Sequence, residues 1–330
     1  MTSTSITEVS AKATTVLAAL TLACALAQAQ DFPAKPIRLI VGFPPGGSND
    51  IVARVLAPRL SDLLGQQVLV ENRPGANAII GTEFVARSAP DGYTWLLGSA
   101  SPLVISPHTY SKLPYDTLAD FVPITTVAMT PEIFAVHPSL PAKSLKELVA
   151  LARSQPGKLS FSSSGNGGLP HLAIELFKTT AGVNVLHVAY KGAAPAITDT
   201  MGGHVDAIAM DFPPVLPHVK SGRLRGLAMA SERRAPLLPE LPTTGEQGLP
   251  NLLAVNWFTI LAPARTPRAT VDRVYAVLIK ATAAPEIKER LLNQGVETMT
   301  QPSPAAAAAF IKDELVRWGK VVKTAGVRAD

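Results

Sequence analysis

Apolar positions along this chain switch repeatedly between two periods. Ile37 to Val41 (I-R-L-I-V) is a nearly continuous apolar run of the kind that a strand buried on both faces requires. After a glycine-rich turn, Ile51, Val52, Val55, Leu56, Leu60, Leu63 and Leu64 recur at helical spacing and predict a helix over 48–64, closed by Gly65. Val68 to Val70 reads as a strand, 81–88 as a helix and Thr94 to Leu97 as a strand, with turns at Asn72-Arg73-Pro74-Gly75 and Pro90-Asp91-Gly92. This βαβαβ order predicts parallel strands joined by right-handed crossovers.

A second series begins near Met129. Ile133 to Val136 reads as a strand, and Ser144 with Glu147 three residues on predicts a capped helix to Ser154. Strand Leu159 to Phe161, a helix over 170–180, strand Val185 to Val188, a helix over 195–201 and strands over 207–210 and 224–230 follow. The proline-rich stretch 236–250 predicts a linker without regular structure. Beyond it, a strand over 257–261 and helices over 270–282 and 304–325 close the chain, the last with Ser303 as N-cap. The expected organisation is a discontinuous first lobe, 30–128 plus 253–330, and a second lobe, 129–252. Two crossover segments between them predict a hinge.

Composition fits this picture. A chain of 330 residues suits two α/β lobes better than one core. Apolar content of 47% with 17% charge excludes disorder, and only 5% aromatic residues, with no basic run interleaved among them, argues against nucleic acid. The net charge of +5 biases the surface toward anions. Residues 13–27 (A-T-T-V-L-A-A-L-T-L-A-C-A-L-A) have the length of a signal-peptide apolar region, and Ala27-Gln28-Ala29 fits a cleavage site. The expectation is a signal peptide over 1–29 and a soluble, exported, periplasmic mature chain. Cys24 is the only cysteine, so removal after Ala29 would leave no thiol for a disulfide, a nucleophile or a metal.

Candidate chemistry lies in a device used twice. Ile37 to Asp50 and Leu159 to His171 each place a strand, a Gly/Ser turn and a helix in succession. A helix start approached by a loop without Cβ bulk is a site for a carboxylate. Two such starts on two lobes can hold a small anion between them. Ser48 reads as N-cap of the first helix and Asp50 as a group that orients backbone amides or a water. Ser162, Ser163 and Ser164 offer hydroxyls at a strand's C-terminal end, where open α/β sheets bind ligands. His171 reads as neutral and structural, because a helix N-terminus disfavours imidazolium.

Other chemistries find no support in the pattern. Gly165-x-Gly167 fails as a dinucleotide fingerprint at Pro170, and Gly46-Gly47 lacks the Lys-Ser/Thr of a phosphate loop. Neither H-E-x-x-H nor G-x-S-x-G occurs, and the six histidines lack ligand spacing. No catalytic residue, metal or cofactor is expected.

The motifs F-P-P-G-G-S-N-D, E-N-R-P-G-A-N-A-I-I-G, D-G-Y-T, K-L-P-Y-D, S-S-S-G-N-G-G-L-P-H-L, Y-K-G-A-A-P-A, G-G-H-V-D and W-F-T-I-L-A-P-A-R-T-P occur in this order. Together they resemble the Bug receptors, the periplasmic substrate-binding proteins of tripartite tricarboxylate transporters. The resemblance implies a two-lobe type II periplasmic-binding-protein fold, each lobe a mostly parallel sheet flanked by helices. It implies a small carboxylate held in the cleft by main-chain amides and waters, and delivery to membrane permease subunits by a monomeric receptor. By position, Phe43, Pro45, Gly46, Gly47 and Ser48 would form the first anion loop and Ser163, Ser164, Gly165, Asn166 and Gly168 the second. Tyr190 and Gly192 would line the second lobe and Asp211 its floor. Ser99 and Ser101 are further candidates for the far half of the pocket. Gly168 stands where many relatives carry Ser, and Arg265 where the A-P-A-x-T-P motif usually has Gly. Two competing readings share the scaffold: an exported enzyme using Asp50, His171 or Asp211 as acid or base, and a ligand-presenting partner of a sensor kinase.

Overall fold

Ile37–Val41 (β1) forms the strand that its sequence predicts, and it sits between two parallel neighbours, Val68–Asn72 (β2) and Thr94–Ser99 (β3). The helix between β1 and β2, Ser48–Leu64 (α1), has the predicted bounds and ends on Gly65 in the left-handed conformation. Ile79–Ala86 (α2) links β2 to β3 and approaches β1 closely. A Cβ on Gly42 would lie 2.5 Å from that of Ala78, and one on Gly81 would lie 2.9 Å from Gly42 Cα, so both glycines are dictated by this crossing. The computed structural model describes residues 32–329, and the chain from Pro36 onward is one compact unit. The predicted signal peptide, its cleavage site and Cys24 lie outside the described residues.

After β3 the chain makes a π-type turn, Ser101–Ile105, and one helical turn, Ser106–Thr109 (α3). It then enters a strand of 16 residues, Phe121–Val136 (β4), of which only the last four residues were predicted. Residues 121–131 of β4 pair antiparallel with Val255–Pro263 (β9), whereas residues 132–136 pair with Ala207–Asp211 (β7). Leu145–Ser154 (α4) begins at Ser144, whose Oγ accepts the Glu147 amide. Ser160–Ser163 (β5), Leu169–Ala181 (α5), Leu186–Ala189 (β6) and Ala193–Met201 (α6) follow, with β5 parallel to both β6 and β7. Phe212–Lys220 (α7) was not predicted. Its sequence F-P-P-V-L-P-H-V-K hid it, yet Pro213 and Pro214 fall in the first turn, where no amide partner is needed.

Arg225–Met229 (β8) pairs with β4, and Met229 bridges Thr243 within the otherwise irregular 230–254 stretch. Arg268–Ala283 (α8), Pro285–Asn293 (α9), Glu297–Thr298 (β10) and Pro304–Ala325 (α10) complete the chain. Ser303 caps α10 as expected, accepting the Ala306 amide.

The strand order is β2-β1-β3-β9-β4-β7-β5-β6 in one curled sheet. Pairing is parallel at both flanks and antiparallel around β4 and β9, the segments that carry the chain across. Alternate residues of β4 enter different cores. Phe134 and Val136 join Phe161 and Phe177 on one face, and Ile133 and Ala135 join Met210 and Phe212 on the other. Both faces of the strand are thus removed from water here, which is why Ile133 to Val136 is apolar without alternation. Among the described residues, no helix is long and apolar enough to cross a membrane.

Candidate functional site

Four helices begin around one cavity. It is lined by Phe43, Pro44, Gly47, Ser48 and Asn49 at the start of α1, and by Ser164 and Pro170 at the start of α5. Gly192 and Ala193 at the start of α6, Met210, Asp211 and Pro214 at the start of α7, with Ser101 and Asn256, complete it. This inner chamber is small, about 30 Å³, and shares Phe43, Pro44, Ser164 and Gly192 with a wider vestibule of about 620 Å³. Among the described residues, no lysine or arginine lines the inner chamber, and Lys191 is the only one at the vestibule. What the chamber offers an anion is therefore the dipoles of the helix starts.

The first loop is held open by its own carboxylate. Gly46 takes a φ of +84°, and its amide donates to Asp50 Oδ2 at 3.0 Å. Asp50 also accepts from Arg54 Nε at 2.9 Å and Asn72 Nδ2 at 3.0 Å. Burial alone would raise the Asp50 carboxyl, but these donors outweigh it and hold it below the usual carboxylate range. Asp50 thus serves the loop. One expectation is corrected: Gly47, not Ser48, is the N-cap of α1 and no side chain caps it. Ser48 already has helical geometry, and its buried Oγ, with no partner among the described residues, lines the chamber.

The second loop is braced by two histidines. His171 Nδ1 accepts the Gly167 amide at 3.0 Å, and its ring stacks on His187 with centroids 3.9 Å apart. His187 Nε2 lies 2.6 Å from Ser163 Oγ, which also donates to the Gly165 carbonyl at 3.0 Å. Burial first, and then the nearby His171, push the His187 imidazole down to about 3. His187 was not singled out by its sequence, because its signal is a contact between α5 and β6.

Elements from the β1–β3 side reach across to this loop. Ser101 Oγ accepts the Leu169 amide at 3.0 Å, and Thr109 Oγ1 donates to the Gly167 carbonyl at 3.3 Å. Asn77 lies in a run of three left-handed residues, Ala76, Asn77 and Ala78. A Cβ on Gly168 would come within 2.8 Å of Asn77 Oδ1 and 3.2 Å of Ser101 Oγ. A serine at this position needs the Asn77 amide to move, so the departure at Gly168 is matched by its neighbour. Pro44 meets the other lobe too, since a Cβ on Gly192 would sit 3.0 Å from Pro44 Cγ.

Of the sequence candidates, Phe43, Gly47, Ser48, Ser101, Ser164, Gly192 and Asp211 line the inner chamber, and Gly165, Asn166 and Tyr190 line the vestibule. Pro45, Gly46, Asp50, Ser99, Ser163, Gly168 and His171 line neither: several fix the loops from behind, and Ser99 is buried on β3. Tyr190 donates its hydroxyl to Asp199 at 2.7 Å. Asn49, Pro170, Pro214 and Asn256 were missed. Asn256 carried no local signal, since only the pairing of β9 brings it beneath the chamber. Its Oδ1 accepts the Ala100 amide, and its Nδ2 donates to both Asp211 oxygens at 3.1 Å. Among the described residues, no cluster of three potential ligands could hold a metal.

Comparison with known proteins agrees with this architecture. BugT of Bordetella pertussis is 40% identical over 301 residues, covering 91% of this chain and 92% of BugT. The solved structure of R. palustris Rpa4515 with adipate superposes with a TM-score of 0.87 at 34% identity, covering 90% of this chain and 99% of that one. MatC from Rhodopseudomonas palustris with bound malate superposes with a TM-score of 0.83 at 27% identity, covering 88% and 100%. The family model described as tripartite tricarboxylate transporter family receptor matches residues 52–327. With two lobes, two glycine-rich helix starts at their cleft and this match along the chain, the protein belongs to the tripartite tricarboxylate transporter receptor family.

Proposed function

We propose that this protein is a periplasmic receptor that takes up a small carboxylate in the inner chamber and delivers it to the membrane permease of a tripartite transporter. The observation that carries the reading is the convergence of four helix starts, with a Ser48 hydroxyl that has no partner among the described residues, on a chamber lined by no lysine or arginine among those residues. Such a site favours one carboxylate through charge-assisted hydrogen bonds of about 1.5–3 kcal/mol each. The adipate and malate held by two structural relatives support the same class. On this reading residues 1–29 are a signal peptide, 30–128 with 253–330 form one lobe and 129–252 the other. The site residues are Phe43, Gly47, Ser48, Ser101, Ser164, Gly192, Asp211 and Asn256.

A receptor returns its ligand unchanged. Of the acid–base candidates of a rival enzyme, Asp50 is engaged by Gly46 and Arg54, His171 by Gly167, and Asp211, at the chamber wall, by Asn256. The test is calorimetry of the purified chain against a carboxylate panel including adipate and malate, with mass spectrometry of the recovered ligand. Saturable binding with an unaltered ligand is expected; turnover of the ligand, or silence across the panel with an empty pocket, overturns the reading. Gly47 has a φ of −82°, and a Cβ there would meet nothing nearer than Pro44 O at an ordinary 3.7 Å, so Gly47→Asp should fold normally. Its fixed negative charge at the anion loop should abolish binding.

A further inference from the structure

Beneath the inner chamber, β4 and β7 place two acids side by side: Glu132 is paired in register with Asp211. Glu132 is fully buried, and neither of its carboxyl oxygens has a donor among the described residues. Its main chain is used by Ala254 and Ala230 on the flanking segments, which bring no charge. Asp211 is the charged group that acts on it. Two carboxylates are acceptors only, so this pair becomes a hydrogen bond only if one of them carries a proton. The buried partner is the one to keep it, since burial and the Asp211 charge both push the Glu132 carboxyl well above its usual range. Asp211, at the chamber wall, takes Asn256 Nδ2 on both oxygens. The Ala100 amide fixes that carboxamide with its donor end toward Asp211. Asp211 is also the N-cap of α7 without a side-chain cap hydrogen bond, so no lone pair is spent on the helix amides.

We propose that Glu132 is a neutral acid that donates to Asp211, and that this pair, carrying one negative charge, makes the far end of the site a receptor for a hydrogen-bond donor. The inference rests on the proposed receptor function and narrows its ligand. One carboxylate is held by the starts of α1, α5 and α6, and a hydroxyl, ammonium or amide N–H at the ligand's other end meets Asp211 at the start of α7. A second ionised carboxylate is disfavoured by direct repulsion. Glu132 touches no ligand and is a positioning residue for the charge on Asp211.

The test uses three acids that differ only at the far end: 4-hydroxybutyrate, 4-aminobutyrate and succinate, each titrated calorimetrically into the full chain at neutral pH. The wild type should bind the first two at least about tenfold more tightly than succinate. Asp211→Asn should remove or reverse that order. Glu132→Gln keeps a donor toward Asp211 and should preserve the order, while deleting from the infrared spectrum the carbonyl band of a protonated carboxylic acid. Succinate bound as well as the others by the wild type, an unchanged order in Asp211→Asn, or no such band in the wild type overturns the proposal. Binding of none of the three while another carboxylate of the panel binds overturns the far-end assignment alone; silence across the whole panel overturns the receptor reading beneath it.

Discussion

The imidazoles of His171 and His187 lie face to face, 3.9 Å between centroids and 12° from parallel, and together they fix the loop that opens α5. One ring takes the Gly167 amide and the other meets Ser163 Oγ, so the loop's shape depends on both rings. With the His187 pKa near 3 in the folded chain against about 6.5 unfolded, the unfolded state binds the proton first as pH falls. Native stability should therefore decline from about pH 6.5 toward 3. In His187→Phe, which can stack but not titrate, thermal unfolding followed against pH should show a shallower acid decline. An unchanged slope would remove His187 from the acid response.

Glu132 works in the opposite sense. Its folded-state pKa is raised, so the folded chain binds more protons than the unfolded chain once pH exceeds the ordinary carboxylate value. Its burial costs stability progressively from about pH 4.5 upward, until the folded-state pKa is passed. Glu132→Gln should be more stable than wild type near pH 8, with the gain shrinking as pH approaches 4. Equal gains at both pH values would argue against a buried titrating acid.

Gly192 combines two demands. Its φ of +111° suits glycine alone, and Pro44 stands where a Cβ would point. Gly192→Ala should cost about 1–3 kcal/mol in the state in which Pro44 meets this position. Calorimetry should record this as roughly 10- to 100-fold weaker carboxylate binding. Unaltered affinity would mean that Pro44 and Gly192 need not meet for binding.

Arg265 is exposed and held at φ +68°, in the left-handed region. The resemblance places glycine at this turn, and the backbone explains why. Arg265→Gly should raise stability by about 0.5–1 kcal/mol, the relieved strain exceeding the added freedom of the unfolded chain. Chemical denaturation would measure it, and a loss of stability would show that the arginine side chain holds the loop.

Elements with strong local patterns were legible in the sequence. The apolar stripe of α1, the β1 run and the Ser303 cap needed only their own neighbours to be read, and both glycine-rich starts were found because loop, N-cap and helix are contiguous. What escaped depended on distance along the chain. The first twelve residues of β4 carry Pro123, Thr125, Thr126, Thr130 and Pro131, a composition that does not mark a strand until β9 pairs with it. Asn77, Asn256, Glu132 and His187 reach the site through contacts between separate elements. Asp50 and His171 carry local signals, because a helix start limits what each can do there, and the structure sets both behind the loops.

β4 belongs to both halves of the sheet, donating residues 121–131 to one and 132–136 to the other. Neither half therefore owns a complete set of strands, and a fragment cut between them would expose an unpaired edge. Calorimetric melting should accordingly give one endotherm instead of two, with ligand raising it as a unit. For protein engineering, the consequence is that the halves of related receptors cannot be exchanged as cassettes; a working chimaera must carry β4 and β9 from the same parent.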